Sequence, residues 1–359
     1  MELIGPPVSF IIDGRQIFHS SITYYFSLLF LLPAHFSPAV SSYLFTLFAT
    51  LSLIPLYLSV KTFVNKNSAI FMTIIYSLLP FYIDYSRFLW NPNFQFILTP
   101  YLFYILALYK KYKSKILLFC VGLGSGILLL FHYQYIVIIV VLFFYIMKAE
   151  KNLKRSLIFS GGFIAGFSPL LVFELRNNFY NLQTALLFVK EMGSSKFSNN
   201  WFSPHYILSV SFFTTLAVLY FTKLNIGKKI NLITFLLLLS LSIVKYFPHP
   251  ESAFGSSANW NYPKEEKVYK IITTEDLDSF NVVNLIYDTK ANVQKYLLTV
   301  NNTQENLKDY YHNKYLYIIT DKGDPLNDPA YEVATFKPSK ILKTWKIDNV
   351  HFLYLIKRQ

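Results

Sequence analysis

The segment 85–96, YSRFLWNPNFQF, places an arginine, a tryptophan and two asparagines between two long apolar runs. Arg87 and Trp90 are typical of residues that anchor a helix at a membrane–water interface. That role does not account for Asn91 and Asn93, because amide side chains anchor poorly. The segment is therefore a candidate for polar binding chemistry at a membrane surface.

Four further ionisable residues stand at the ends of apolar runs, namely His19, His132, Glu174 and Arg176. Ionisable groups beside a membrane are candidates for function by default. Each also has a plain structural interpretation, because a single interfacial histidine is usually only solvated and long charged side chains can snorkel towards water. Glu174 and Arg176 are two residues apart and therefore cannot face each other on one helix.

Composition places the chain among membrane proteins. Hydrophobic residues make up 53% of its 359 residues and charged residues only 15%, which is too apolar for one soluble domain. The single cysteine, Cys120, excludes a disulfide framework and a thiolate metal cluster. Residues 1–247 hold 19 basic and 6 acidic residues, whereas residues 248–359 hold 14 of each. The net charge of +13 therefore belongs to the membrane part, and no nucleic-acid partner is needed to explain it.

Apolar runs of roughly 17–25 residues separated by short polar loops are typical of membrane helices. We predict a transmembrane domain over 38–247 with eight spans, at about 38–62, 68–88, 94–109, 116–131, 134–148, 155–174, 206–222 and 230–247. Two spans contain closely spaced glycines, in GLGSG (122–126) and GFIAG (162–166). No strand precedes them, so they predict close helix packing rather than a nucleotide-binding turn.

The loops between these spans alternate in charge. Every second loop is rich in lysine and arginine, and together these loops hold 13 of the 19 basic residues in 1–247. Short basic loops remain in the cytoplasm. The opposite set is therefore expected outside the cytoplasm of a plasma-membrane protein, and it comprises residues 1–37, 85–93, the turn at His132, the loop 175–205 and everything after 248.

The two ends of the chain differ from this central part. Residues 17–36 are either a weak first span or a helix lying along the outer interface, because their apolar stretch is short and contains Pro33. Residues 248–359 predict a small extracytoplasmic α/β domain. Its strands are expected at 280–288 and 314–320, its helix at 291–300, and a closing pair of strands in SKILKTWKI and VHFLYLIKR.

Several segments in order resemble the GT-C superfamily of membrane glycosyltransferases, in the bacterial branch related to protein O-mannosyltransferases and lipid A aminoarabinose transferases. They are IGPPVSF, FHSSITYYFSLLFLL, YSLLPFYIDYSRFLWNPNFQF, LLLFHYQY and GFSPLLVFELRNNFYN, over roughly residues 3–180. The pattern YSR-x-x-WNPN is the most specific of them.

The resemblance implies a polytopic enzyme that takes a sugar from a polyprenyl-phosphate donor and transfers it to a lipid, glycan or protein acceptor on the outer membrane face. The donor phosphate would be bound by basic groups at headgroup level, where positive charge stabilises the leaving phosphate. These groups are His19, Arg87, His132 and Arg176. The sugar or acceptor would be bound by Trp90, Asn91, Asn93 and Glu174.

Two departures from the family pattern bear on catalysis. The family carries an acidic general base in its first outer loop, after a first membrane helix, and neither feature precedes the segment MELIGPP. His19-Ser20-Ser21 also stands where relatives have His-Gly-Pro or a Pro-Pro pair. No catalytic residue is therefore assigned. We expect either an N-terminally truncated form of an active enzyme, which we favour, or a degenerate member that binds the lipid-linked sugar without turnover.

The alternative function is a transporter or flippase of lipid or glycan. Transporters usually contain inverted repeats and polar or broken helices at the midplane, whereas this sequence has no clear internal repeat and gathers its polar residues at one face. A third hypothesis is a membrane anchor whose function lies in residues 248–359. The sequence leaves open whether the protein needs a divalent metal, but no group of Asp and His residues has the spacing of metal ligands.

Overall fold

The structure is a computed structural model, and it describes residues 4–7, 11, 13–150, 152–191, 204–222, 226–248, 259–301, 307 and 309–359. The chain divides into two compact units, Met1–Lys245 and Tyr246–Gln359. The described part of the first unit is almost entirely helical, and that of the second contains a four-stranded sheet.

The first unit begins with two short antiparallel strands, β1 (Ile4–Pro7) and β2 (Phe18–Ser20). A 3-10 turn covers Tyr133–Tyr135. In chain order the helices are α1 (Ile22–Leu31), α2 (Pro38–Leu51), α3 (Leu53–Phe63), α4 (Lys66–Leu78), α5 (Pro80–Tyr85), α6 (Asn91–Tyr112), α7 (Lys115–Phe131), α8 (Ile136–Glu150), α9 (Leu153–Arg176), α10 (Tyr180–Glu191), α11 (His205–Thr222) and α12 (Lys228–Tyr246).

Four helical segments among the described residues are long and apolar enough to cross a membrane. Each coincides with a predicted span. They are Pro38–Phe63, Tyr133–Glu150, Leu153–Arg176 and Lys228–Tyr246. Lys115–Phe131 and Val210–Thr222 are apolar but shorter, and they overlap two further predicted spans. The expectation of membrane-spanning helices is thus supported for these segments by length and composition.

Three predicted boundaries differ in the structure. The predicted span 68–88 is divided between α4 and α5, because Pro80 occupies the first turn of a new helix, where proline is tolerated. The predicted loop 175–205 contains the helix α10. Within 17–36, α1 has only ten residues, about half of what a bilayer-crossing helix needs.

The helices α7 and α9 are in direct backbone contact. A Cβ atom placed on Gly122 would lie 2.1 Å from the carbonyl oxygen of Phe159, and one placed on Gly162 would lie 2.2 Å from that of Phe119. Only glycine allows two helix backbones to approach this closely. The close packing predicted from GLGSG and GFIAG is confirmed.

The basic loops lie together at one end of the helices of the first unit. The Nζ atom of Lys110, at the end of α6, lies 5.2 Å from the ring centroid of Phe63 at the end of α3. Lys113 forms an ion pair with Glu150 of α8, with 2.5 Å between Nζ and Oε1. The loops that follow α3, α6 and α8 therefore share one end.

Helix α12 connects this end to the opposite one. Near its start, Nδ2 of Asn231 donates a hydrogen bond to the carbonyl oxygen of Asn67 in the first turn of α4, at 3.2 Å. Near its other end, Lys245 forms an ion pair with the buried carboxylate of Asp84, which directly precedes segment 85–93. Segment 85–93 therefore lies at the end of the first unit opposite the basic loops, and the membrane side that each end faces stays a prediction.

The second unit contains a sheet with the strand order β3-β4-β6-β5. Its strands are β3 (Phe280–Asn284), β4 (Tyr315–Thr320), β5 (Ser339–Lys346) and β6 (Phe352–Arg358), and its helices are α13 (Tyr262–Thr274), α14 (Asn292–Val300) and α15 (Tyr331–Ala334). β3 and β4 are parallel, with α14 in the connection between them, and the other pairs are antiparallel. The predicted α/β domain is confirmed, together with its closing strand pair, whereas α13 was not predicted.

Candidate functional site

Three histidines from separate elements meet at the end of the first unit opposite the basic loops. The ring centroids of His19 and His132 are 5.3 Å apart, and those of His132 and His205 are 5.5 Å apart. His19 belongs to β2, His132 follows the last residue of α7, and His205 is the first residue of α11. These three residues are the histidine cluster.

His132 is positioned by a buried amide on a neighbouring helix. Gln95 of α6 is completely buried, and its Nε2 atom donates to the carbonyl oxygens of Leu128 and His132, each at 2.8 Å. The last carbonyl groups of a helix have no partner within the helix. Gln95 therefore caps the end of α7 and fixes the backbone from which His132 projects.

His19 is positioned through its neighbour Phe18. The amide of Asn181 in α10 accepts a hydrogen bond from the Phe18 nitrogen at 2.9 Å and donates one to the Phe18 carbonyl oxygen at 3.1 Å. The hydroxyl of Tyr133 donates to the same carbonyl at 2.5 Å, and its ring stacks on His19 at 5.5 Å. Two separate elements thus hold β2 in place.

The surroundings of the cluster disfavour charged imidazoles. Burial and, secondarily, the charge of His205 lower the pKa of His19 to about 4. Burial, followed by the charges of His19 and His205, lowers the pKa of His132 to about 3, and burial lowers the pKa of His205. Burial therefore favours the uncharged form of all three rings.

The Nδ1 atoms of His19 and His132 are buried and have no hydrogen-bond partner among the described residues. A buried polar atom without a partner is costly and is often a position that a ligand or water satisfies. Each of the two rings therefore keeps one nitrogen without a partner, and burial disfavours the fixed positive charge expected from the sequence.

Trp90 joins the predicted segment 85–96 to the histidine cluster. Its ring meets that of His205 edge to face at 4.7 Å and stacks on Tyr85 at 6.3 Å. Tyr206 lies 5.6 Å from His132 on another side. The cluster is thus enclosed by aromatic rings, and one predicted binding residue from segment 85–96 contacts it.

The other predicted residues of this segment are placed differently. Asn91 and Asn93 are buried in the first turn of α6 rather than in a loop, and Pro92 lies between them in that turn, where proline is favoured. Nδ2 of Asn93 donates to the Phe88 carbonyl oxygen at 2.9 Å, while its Oδ1 atom has no partner among the described residues. Arg87 is exposed in the turn between α5 and α6.

Glu174 and Arg176 point in different directions at the end of α9. Glu174 is buried, and its Oε2 atom accepts a hydrogen bond from the Leu182 nitrogen in the first turn of α10 at 3.2 Å. Its Oε1 atom has no partner among the described residues. Arg176 is exposed. The prediction that these two side chains do not face each other is confirmed, and the observed role of Glu174 is to hold α10 against α9.

A groove along α1 begins next to β2. It has a volume of about 320 Å³ and is lined by Ser21, Tyr24, Tyr25, Ser27, Leu28 and Leu31. Its first lining residue follows His19 by two positions in the chain. The groove therefore offers an apolar wall close to the histidine cluster.

The described residues contain no group of three His, Cys, Asp or Glu side chains arranged to hold a metal ion.

His205 was not predicted from the sequence, although a signal for it was present. His205 follows Pro204 directly before an apolar run, and such an ionisable residue at the end of a span is a candidate by the rule that selected His19 and His132.

Comparison with known proteins finds no matching family model, no similar curated protein and no matching solved structure.

Proposed function

We propose that the chain is a polytopic membrane glycosyltransferase of the GT-C type, which transfers a sugar from a polyprenyl-phosphate donor to a lipid, glycan or protein acceptor. The observation that carries the proposal is the histidine cluster with Trp90. It lies at the end of the apolar helices that is opposite the lysine-rich loops. By the charge rule for loops, this end faces the extracytoplasmic side, and so does the domain after residue 248.

The donor would lie with its prenyl chain in the groove on α1. The leucine and tyrosine side chains there suit an apolar chain, and Ser21, at the start of the groove, stands two residues after His19. Arg87 and Arg176, both exposed at the same end as the cluster, would pair with the phosphate. Guanidinium groups bind phosphate oxygens in a bidentate manner.

The uncharged imidazoles fit the proton transfer that this reaction needs. The acceptor hydroxyl forms a bond to the anomeric carbon, the bond from that carbon to the phosphate oxygen breaks, and the polyprenyl phosphate leaves. The hydroxyl proton must pass to a base. His19, which burial keeps in the uncharged form, would serve as this base in place of the acidic residue of the family.

The test measures the release of polyprenyl phosphate by the full chain in liposomes that contain a polyprenyl-phosphate sugar and candidate acceptors. Arg87→Ala should lower the rate about 100-fold, because one phosphate-stabilising charge is lost, and His19→Gln should lower it comparably. Lys111→Ala, an exposed substitution at the opposite end, serves as the control.

Unchanged transfer by both variants would reject this site. The alternative of a transporter makes a different prediction, because donor would then cross the bilayer in the absence of an acceptor. That movement is measured by the accessibility of the sugar to an external enzyme or reagent. Movement without transfer would replace the glycosyltransferase proposal.

A further inference from the structure

Helix α10 presents a row of apolar side chains that the described chain leaves uncovered. Leu182, Leu186 and Val189 are 53%, 63% and 66% exposed, and their spacing of four and three residues places them on one line along the helix. The opposite side of the helix is buried, at Asn181 and Thr184. A continuous exposed apolar surface of this kind indicates an interaction surface.

The position of α10 indicates which partner covers this surface. The helix begins four residues after Arg176, the last residue of the candidate span Leu153–Arg176. Leu175 and Phe179 are also exposed, so the apolar surface of α9 continues into that of α10. A lipid layer that surrounds α9 would therefore reach α10 at the depth where the span leaves the acyl region.

The outward side of α10 also has a polar edge. At about 100° per residue, Gln183 and Lys190 lie beside the row of leucines and valine, and both are exposed. The Gln183 Oε1 atom accepts from Arg15 at 3.5 Å. A helix with an apolar strip flanked by polar and basic side chains is the type that lies in the plane of the membrane interface, where lysine can reach the headgroups.

We infer that α10 lies at the headgroup boundary of the bilayer, with Leu182, Leu186 and Val189 in the acyl layer. Asn181, on the buried side of the same helix, binds both backbone polar groups of Phe18. Helix α10 therefore sets the depth at which β2 and His19 stand relative to the lipid. The partner of α10 is thus a lipid surface, whatever reaction the histidine cluster performs.

The test places an environment-sensitive bimane label on the full chain in liposomes. In a Cys120→Ser background, single cysteines are introduced as Leu182→Cys, Leu186→Cys and Val189→Cys. Lys190→Cys is the matched control on the polar edge of the same helix. Lipids that carry bromine near the headgroup end of the acyl chain serve as the quencher.

We expect blue-shifted emission and at least about two-fold stronger quenching at the three apolar positions than at Lys190→Cys. Equal quenching at all four positions would overturn the inference, because α10 would then not lie in the interface plane. Blue-shifted emission without quenching at the apolar positions would also overturn it, since protein would then cover the row. Each apolar position tests the inference separately, so one poorly folded variant does not prevent a decision.

Discussion

The imidazole rings of His19 and His132 lie 5.3 Å apart, although one belongs to a short strand and the other to the end of α7. At this separation a proton on one ring disfavours a proton on the other, so their titrations are linked. His205 adds a third ring at 5.5 Å from His132. Folding therefore brings together three groups that are most stable when all are neutral.

This arrangement predicts that acid destabilises the fold. The unfolded histidines have a pKa near 6.5, whereas the folded values are about 4 for His19 and about 3 for His132. As the pH falls below about 6.5, the unfolded state binds protons that the folded state excludes, so the free energy of unfolding decreases until the folded rings also titrate. Each unit of pKa difference corresponds to about 1.4 kcal/mol.

The measurement is the thermal unfolding temperature of the purified protein between about pH 7.5 and about pH 5. His132→Gln should flatten the pH dependence, because a side chain that does not titrate replaces one of the linked rings. His35→Asn, at an exposed position, is the matched control for substitution of a histidine. If the unfolding temperature of His132→Gln depends on pH as strongly as that of the unsubstituted protein, His132 does not cause the destabilisation by acid.

The glycine contacts between α7 and α9 predict that a larger residue at Gly122 destabilises the protein. Gly122→Ala would force a methyl group to within 2.1 Å of the Phe159 carbonyl oxygen, so the helices must separate. We expect a loss of roughly 1–3 kcal/mol, as in other overpacked interiors. Gly161→Ala is the matched control in α9, because nothing lies within 4 Å of its Cβ position. Thermal unfolding in detergent compares the two variants, and equal stabilities would contradict the close contact.

In the second unit, replacing the buried carboxylate of Glu265 is predicted to lower the stability of the domain. Glu265 accepts hydrogen bonds from Trp260 Nε1 at 2.7 Å, from the Tyr287 hydroxyl at 2.6 Å and from Gln294 Nε2 at 2.5 Å. Glu265→Leu would remove the carboxylate that all three side chains bind, while Gln294 Nε2 keeps its hydrogen bond to the Glu265 carbonyl oxygen. We expect a cost of about 3 kcal/mol, because polar groups of the buried residues Trp260 and Gln294 lose an acceptor.

Hydrogen exchange of the β3 and β4 amides in the full chain measures this cost, and their exchange should accelerate strongly. The neighbouring substitution Glu266→Leu should leave it unchanged, because Glu266 is half exposed and has one weak ion pair with Lys270 at 3.4 Å. If both variants exchange alike, the network around Glu265 does not hold the domain together.

Patterns that depend on local chemistry were predictable from the sequence. The segments SKILKTWKI and VHFLYLIKR predicted β5 and β6, because runs rich in β-branched and aromatic residues favour strands. The lysine-rich loops likewise predicted which helix ends meet, as the ion pair between Lys113 and Glu150 confirms. These signals need no knowledge of the tertiary structure.

Features that arise from tertiary contacts were not predictable. The amide nitrogen of Asn93 donates to the Phe88 carbonyl inside the protein, a partner that sequence spacing does not specify. The histidines are uncharged because folding buries them together, which no single-residue rule anticipates. Helix α10 was assigned to a loop because its stripe is only three apolar residues long.

The connection between α10 and the histidine cluster predicts how His19 becomes accessible. Asn181→Ala removes both hydrogen bonds to Phe18, which leaves Tyr133 as the described hydrogen-bond donor to that carbonyl. The strand β2 should then detach more often and expose His19, which is only 8% exposed in the structure. Modification of His19 by diethylpyrocarbonate, followed by mass spectrometry, should therefore become several-fold faster, because local opening limits the reaction of a buried group. Gln183→Ala, on the outward side of the same helix, is the control and should react at the original rate. If the rate at His19 is the same in both variants, Asn181 does not hold the strand, and α10 cannot set the depth of the cluster.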